Sequence, residues 1–249
     1  MIYLTGDTHI PMDIHKISMS QWPDQKSLTK DDYLIVCGDF GLLFNYRETG
    51  KSISSCPEDS CWDEEELWWL NWLQERPFTT LFVDGNHENY DRLKKYPITD
   101  WNDGKVQIIS DSVIHLIRGQ VYQIGKEKIF VMGGARSHDR GPATGTEKRD
   151  AHKIWWKEEL PLKREYREAL KNLEANNNKV DYIVTHETPA DYLYREGYCA
   201  YELPDFLLNV KETVEFKRWY CGHHHKDTRY GRVRILYDDI IQIGENVVK

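Results

Sequence analysis

Hydrophobic residues in this chain gather in short runs. Residues 2–5, 33–37, 80–83, 128–132, 181–185 and 218–221 are each four or five residues long and rich in Val, Ile, Tyr or Phe. That length and composition predict buried β-strands. The polar positions follow the same rhythm. Five of the runs end at a carboxylate, an amide or an imidazole: Asp7, Asp39, Asn86, His186 and His223. Glycine stands directly before Asp7, Asp39, Asn86 and His223, where it allows a sharp turn and a close backbone approach.

Helical stretches are predicted between the runs. Residues 63–76 begin acidic and end in Arg before Pro77, which suits the helix dipole. Residues 163–175 carry paired charges that favour a helix, and residues 200–215 form a weaker candidate. Residues 233–248 alternate like a β-hairpin turning at Tyr237-Asp238-Asp239. The strand–helix order predicts an α/β fold of one domain over residues 1–249. A loop-rich polar insertion near residues 133–161 is expected over a site. Open α/β sheets place ligands beyond the carboxyl ends of their strands. A sheet would therefore gather polar residues scattered from 7 to 225.

Composition narrows the class. With 249 residues and 40% hydrophobic content, the chain can bury a sizeable core. No run approaches the 18 or so apolar residues of a membrane span. The N-terminus MIYLTGDTHI has neither a basic region nor a long apolar run, so it reads as a first strand and not a leader. A net charge of −8 disfavours long nucleic acid, although bound metal ions would reverse the field inside a cleft. Of five cysteines, Cys37 and Cys221 suit buried strand ends, while Cys56 and Cys61 sit in a polar loop where they could pair or bind metal. The odd number points to a reducing, cytoplasmic setting.

Asp7 and His9 are two residues apart, so in an extended stretch they point the same way. With Asp39, Asn86, His186, His223 and His225 they offer oxygen and imidazole donors, which suit Mn, Fe or Zn. The set is too large for one tetrahedral ion. It fits two adjacent ions if one carboxylate bridges them. Any single Asp here could be a turn residue or cap, and any single His a satisfied core residue. The ordered set is what points to metal.

The blocks GDTH (6–9), GDFG (38–41), GNHE (85–88), THETP (185–189) and GHHH (222–225) resemble, in order, the signature blocks of the calcineurin-like metallophosphoesterases. The resemblance spans nearly the whole chain. It implies a two-sheet β-sandwich flanked by helices, with two divalent metal ions at the C-terminal ends of the strands. It also implies that Asp7, His9 and His225 bind one ion, that Asn86, His186 and His223 bind the other, and that Asp39 bridges them. His87 would be the catalytic acid, and His224 would point away as a structural residue. The implied activity is hydrolysis of phosphate esters by a water shared between the ions. Its substrate would be a phosphorylated small molecule, a nucleotide or a phosphoprotein, with no membrane partner. The alternatives are a nucleotide phosphodiesterase and a metal-binding scaffold of the same fold.

One departure stands out. Many family members carry an acid three positions after the bridging Asp, where it orients the catalytic histidine; here that position is Leu42. Specificity is expected from the 133–161 segment. Arg136 or Arg149 could grip a phosphate oxygen, and His138 could orient or protonate the substrate. The plainer alternatives are that Arg136 pairs with an acid and that Trp155 and Trp156 simply pack the loop.

Overall fold

The computed structural model describes residues 1–44, 62–138 and 154–244. Its strands are β1 (Ile2–Thr5), β2 (Tyr33–Val36), β3 (Thr79–Val83), β4 (Ile98–Trp101), β5 (Gly104–Ser110), β6 (Val113–Leu116), β7 (Val121–Ile124), β8 (Glu127–Met132), β9 (Tyr182–Thr185), β10 (Arg218–Cys221), β11 (Thr228–Tyr230), β12 (Val233–Ile235) and β13 (Ile241–Gln242). They form two mixed sheets, ordered β13-β1-β2-β3-β6-β5-β4 and β11-β12-β10-β9-β8-β7. All six predicted runs are strands to within one residue. Helices α1 (Glu64–Gln74), α2 (Tyr90–Leu93), α3 (Lys163–Ala175), α4 (Ala190–Arg195) and α5 (Glu202–Thr213) complete the main elements. Among the described residues, no helix is long and apolar enough to cross a membrane.

The central strands are buried on both faces, which is why their sequences read as continuous apolar runs. Successive side chains still alternate between two layers. In β2, Ile35 faces the layer between the sheets, where it meets Leu4, Leu81, Val131 and Val184. Its neighbours Leu34 and Val36 face outward to α1 and to Ile14 and Ile17 of a short 3-10 helix. In β8, Ile129 and Val131 point inward, while Phe130 and Met132 face Ala169, Leu173 and Leu207 of α3 and α5. The layers therefore run helix, sheet, sheet, helix, as the resemblance implied.

The C-terminal hairpin expected over residues 233–248 is corrected. β12 pairs with β10 and β11, whereas β13 crosses to the other sheet and pairs antiparallel with β1. The Asp227 carboxylate accepts the backbone N–H groups of Tyr237, Asp238 and Asp239 at 2.9, 3.0 and 3.2 Å. That cap sends the chain away from β12. The real hairpin is β11–β12, turning at Gly231, whose φ is +57°. Residues beyond 244 lie outside the described part, as do Cys56 and Cys61; Cys37 and Cys221 are buried, as expected.

A buried polar cluster braces the turn after β3. Asp84 accepts from Arg118 Nε at 2.6 Å and lies 3.1 Å from His115 Nε2. The Tyr90 hydroxyl stands 2.9 Å from Asp84 Oδ2 and 2.5 Å from the Gly85 carbonyl oxygen. Burial raises the Asp84 pKa, but Arg118 and His115 outweigh it and hold the carboxyl below the usual range. Removing one partner of a buried pair leaves an uncompensated charge. Arg118→Ala should therefore cost about 3–5 kcal/mol in urea unfolding, and adding Asp84→Ala should recover part of that loss. A single-variant cost near zero would contradict this reading.

Candidate metal centre

The carboxyl ends of β1, β2 and β3 in one sheet and of β9 and β10 in the other converge on one place. Asp7, Asp39, Asn86, His186 and His223 each follow one of these strands. The fit between the sheets is close. A Cβ at Gly38 would overlap the His186 ring, and a Cβ at Gly222 would overlap Asp7 Oδ1. Gly38 also has φ +95°, a conformation that glycine adopts without steric cost. Four of the candidate ligands share the left-handed region: His9 at φ +34°, Asp39 at +46°, His223 at +68° and His225 at +47°. Non-glycine residues held this way collect at functional sites, where the surroundings over-determine them.

Three groups of donor atoms lie within 4.8 Å of one another: Asp7, His9 and His225; Asp39, His186 and His223; and His9, Asp39 and His87. Each could hold a metal ion. Asp39 stands between the first two. Its Oδ1 accepts the backbone N–H of His87 at 2.7 Å. Its Oδ2 lies 3.3 Å from His9 Nε2 and 3.3 Å from His186 Nε2. Asn86 joins the second group, with Oδ1 3.2 Å from His186 Nε2. In the first group, His225 Nε2 is 3.1 Å from Asp7 Oδ2.

Neighbouring acceptors decide which ring nitrogen faces the site. His186 Nδ1 is 2.9 Å from the Cys37 carbonyl. A carbonyl can only accept, so Nδ1 carries the hydrogen and Nε2 is left for an ion. His9 Nδ1 lies 2.7 Å from Asp13 Oδ2, which frees its Nε2 in the same way. The carboxylate of Glu187 sits 3.7 Å from His223 Nε2. His224 belongs to none of the three groups; its Nε2 lies 3.0 Å from Thr188 Oγ1 and 3.2 Å from Glu187 Oε1.

The protonation pattern is that of a place where cations belong. Burial opposes charge on His186, yet Asp39 and Asp7 raise it to about 10. Burial likewise opposes charge on His9, and Asp39, Asp7 and Asp13 raise it. Burial takes His223 the other way, down to about 4, so that ring is neutral at pH 7. Without an ion, His186 therefore holds a proton at every pH below about 10. An ion must displace that proton. Affinity should then rise with pH through the neutral range, by roughly tenfold per pH unit for each proton released. Calorimetry of Mn(II) binding in buffers of different ionisation enthalpy would count those protons. Pairwise equal enthalpies, meaning no proton released, would contradict the assignment.

His87 packs edge-on between His9 and Phe44, with ring centroids 5.3 and 5.2 Å away. Leu42, at the position of the missing acid, is buried beside Phe40 and Leu43 in the outer core. Phe44 in turn stands edge-on to Trp156, and Trp156 Nε1 donates to Asp91 at 3.0 Å. Trp155 and Trp156 are both buried.

A cavity of about 740 Å³ opens over the centre, and Arg136, Ser137, His138, Leu193, Tyr198 and Tyr201 line it together with Asp39, Asn86, His87 and His223. Arg136 and His138 thus face the same cavity as the candidate ligands. Arg149 lies outside the described residues. The Tyr201 hydroxyl donates to Glu187 at 2.7 Å and accepts the Arg136 backbone N–H at 2.8 Å. Sequence reasoning passed over Asp13 and Glu187. Asp13 had a signal in its spacing of four from His9; Glu187 had only its place beside His186.

Residues 1–227 match the model of the calcineurin-like phosphoesterases. A comparison with curated proteins finds no match. The family match, the two-sheet architecture and the five ordered blocks agree, and the chain belongs to the calcineurin-like phosphoesterase family.

Proposed function

We propose that the protein hydrolyses phosphate esters with two divalent ions, manganese, iron or zinc. Asp7, His9 and His225 would hold one, Asn86, His186 and His223 would hold the other, and Asp39 would be shared between them. Membership in the family supports metal-dependent phosphoester hydrolysis. The observation that carries the two-ion reading is Asp39 Oδ2, which lies 3.3 Å from an imidazole of each group. Donor types fit too, since carboxylate, amide and imidazole suit these metals. When bound, such ions supply an activated water and charge stabilisation for the phosphate.

The chain's own residues do the rest. Asp7 and Asp39 offset part of the ions' charge, so the site stays cationic and attracts an anionic ester. His87, at the cavity wall, gives a proton to the leaving oxygen. Arg136 and His138, which line the same cavity, would contact the substrate there. The cavity volume and the net charge of −8 favour a phosphomonoester or small diester over long nucleic acid. A cytoplasmic setting fits the three described cysteines, which are all free.

The test is hydrolysis of p-nitrophenyl phosphate and of its bis-ester with Mn(II) added. Turnover of at least one is expected. Two bound ions without turnover of either would instead favour a metal-binding scaffold.

A further inference from the structure

The family match ends at residue 227, yet a residue beyond it reaches the metal centre. The ring of Tyr237 lies flat on His225, with centroids 4.7 Å apart and planes 11° from parallel. The Tyr237 carbonyl accepts from Lys16 Nζ, and the same ammonium donates to the Asp7 carbonyl at 2.6 Å. One tyrosine is therefore connected directly to His225 and, through Lys16, to Asp7.

His225 needs such support. Its side chain is 50% exposed, whereas those of His9 and Asp7 are buried. The His9 ring touches it edge-on at 4.9 Å, and Tyr237 covers a face. Tyr237 is itself fixed from several directions. Asp227 takes its backbone N–H at 2.9 Å, and Thr5 Oγ1 donates to its carbonyl at 3.4 Å. The Lys16 ammonium sits 5.0 Å from the ring centroid. The rigid partner is thus delivered by the same chain crossing that carries β13 to the first sheet.

We propose that Tyr237 is a positioning residue for the Asp7, His9 and His225 group: its ring holds the His225 imidazole by stacking. The inference rests on the reading that this group holds an ion. Groups that orient metal ligands typically change affinity by 10–100-fold. The effect belongs to one ion only, because Tyr237 makes none of these connections to Asn86, His186 or His223.

The experiment is calorimetric titration of chelator-stripped protein with Mn(II), comparing wild type, Tyr237→Ala and Tyr237→Phe. Wild type should take two ions. Tyr237→Ala should leave one affinity unchanged and weaken the other by roughly 10–100-fold. Tyr237→Phe keeps the ring stack, so it should recover most of that loss. A merely structural tyrosine would lower thermal stability without splitting the two affinities. Tyr237→Ala with both affinities at wild-type values, or both weakened equally, overturns the proposal. Wild-type protein taking fewer than two ions overturns the two-ion reading and this inference with it, so the two failures are distinguishable.

Discussion

Asp39→Asn should empty both ion positions at once. Few single-atom changes in the molecule have such reach. The Asp39 carboxylate is 1% exposed. One oxygen is committed to the His87 backbone N–H, and the other faces an imidazole from each group. An amide in its place would turn its N–H₂ either toward the His87 N–H or toward the two imidazoles. The first choice opposes two donors, the second points N–H₂ at the place two cations would occupy, and both remove the negative charge that the cations would share. Metal content should fall from two ions per chain to substoichiometric, and esterase activity by 10³-fold or more. That is the rate equivalent of losing the several kcal/mol that such ions supply. One ion kept at wild-type affinity would remove Asp39 from its bridging role.

His87→Ala is expected to act differently, with both ions kept and activity reduced by roughly 10²–10⁴. The loss should be larger for an alkyl phosphate than for the nitrophenyl ester, because an alkoxide leaving group is more basic and depends more on the acid. This variant also resolves an ambiguity in the geometry. His87 belongs to a third donor group with His9 and Asp39, so it could serve as a ligand. If His87→Ala loses an ion, His87 is a ligand and the acid must be sought elsewhere in the cavity, beginning with His138.

The missing acid at Leu42 shows how this chain departs from the common pattern. Burial of Leu42 with Phe40 and Leu43 turns a polar position into core. His87 is then confined by aromatic edges, His9 and Phe44, with Trp156 behind Phe44. A histidine held by packing keeps its place in the cavity wall.

Much of this was readable in advance, for a physical reason. Strands buried on both faces must be apolar throughout, and β1, β2, β3, β8, β9 and β10 announce themselves as runs. Ligands at strand ends follow those runs in sequence. β4 to β7 were not foreseen. β4 is an exposed edge with Ile98 60% exposed, so no apolar run marks it. Its turn was legible, since Asn102 and Asp103 both have positive φ and join β4 to β5 before Gly104. That is the asparagine- and glycine-rich chemistry of a tight hairpin. The supports of the site were harder to see. The Cys37 carbonyl that orients His186 has no sequence signature at all. Tyr237 looked like part of a hairpin turn, and only the Asp227 cap and the crossing of β13 bring it onto His225.

In the proposed centre, two ions would share Asp39. Anomalous diffraction from crystals soaked in Mn(II) tests it most directly. Two peaks are expected in contact with the Asp39 carboxylate, one among Asp7, His9 and His225 and the other among Asn86, His186 and His223. A single peak, or a peak held by His87 in place of either group, would contradict that arrangement.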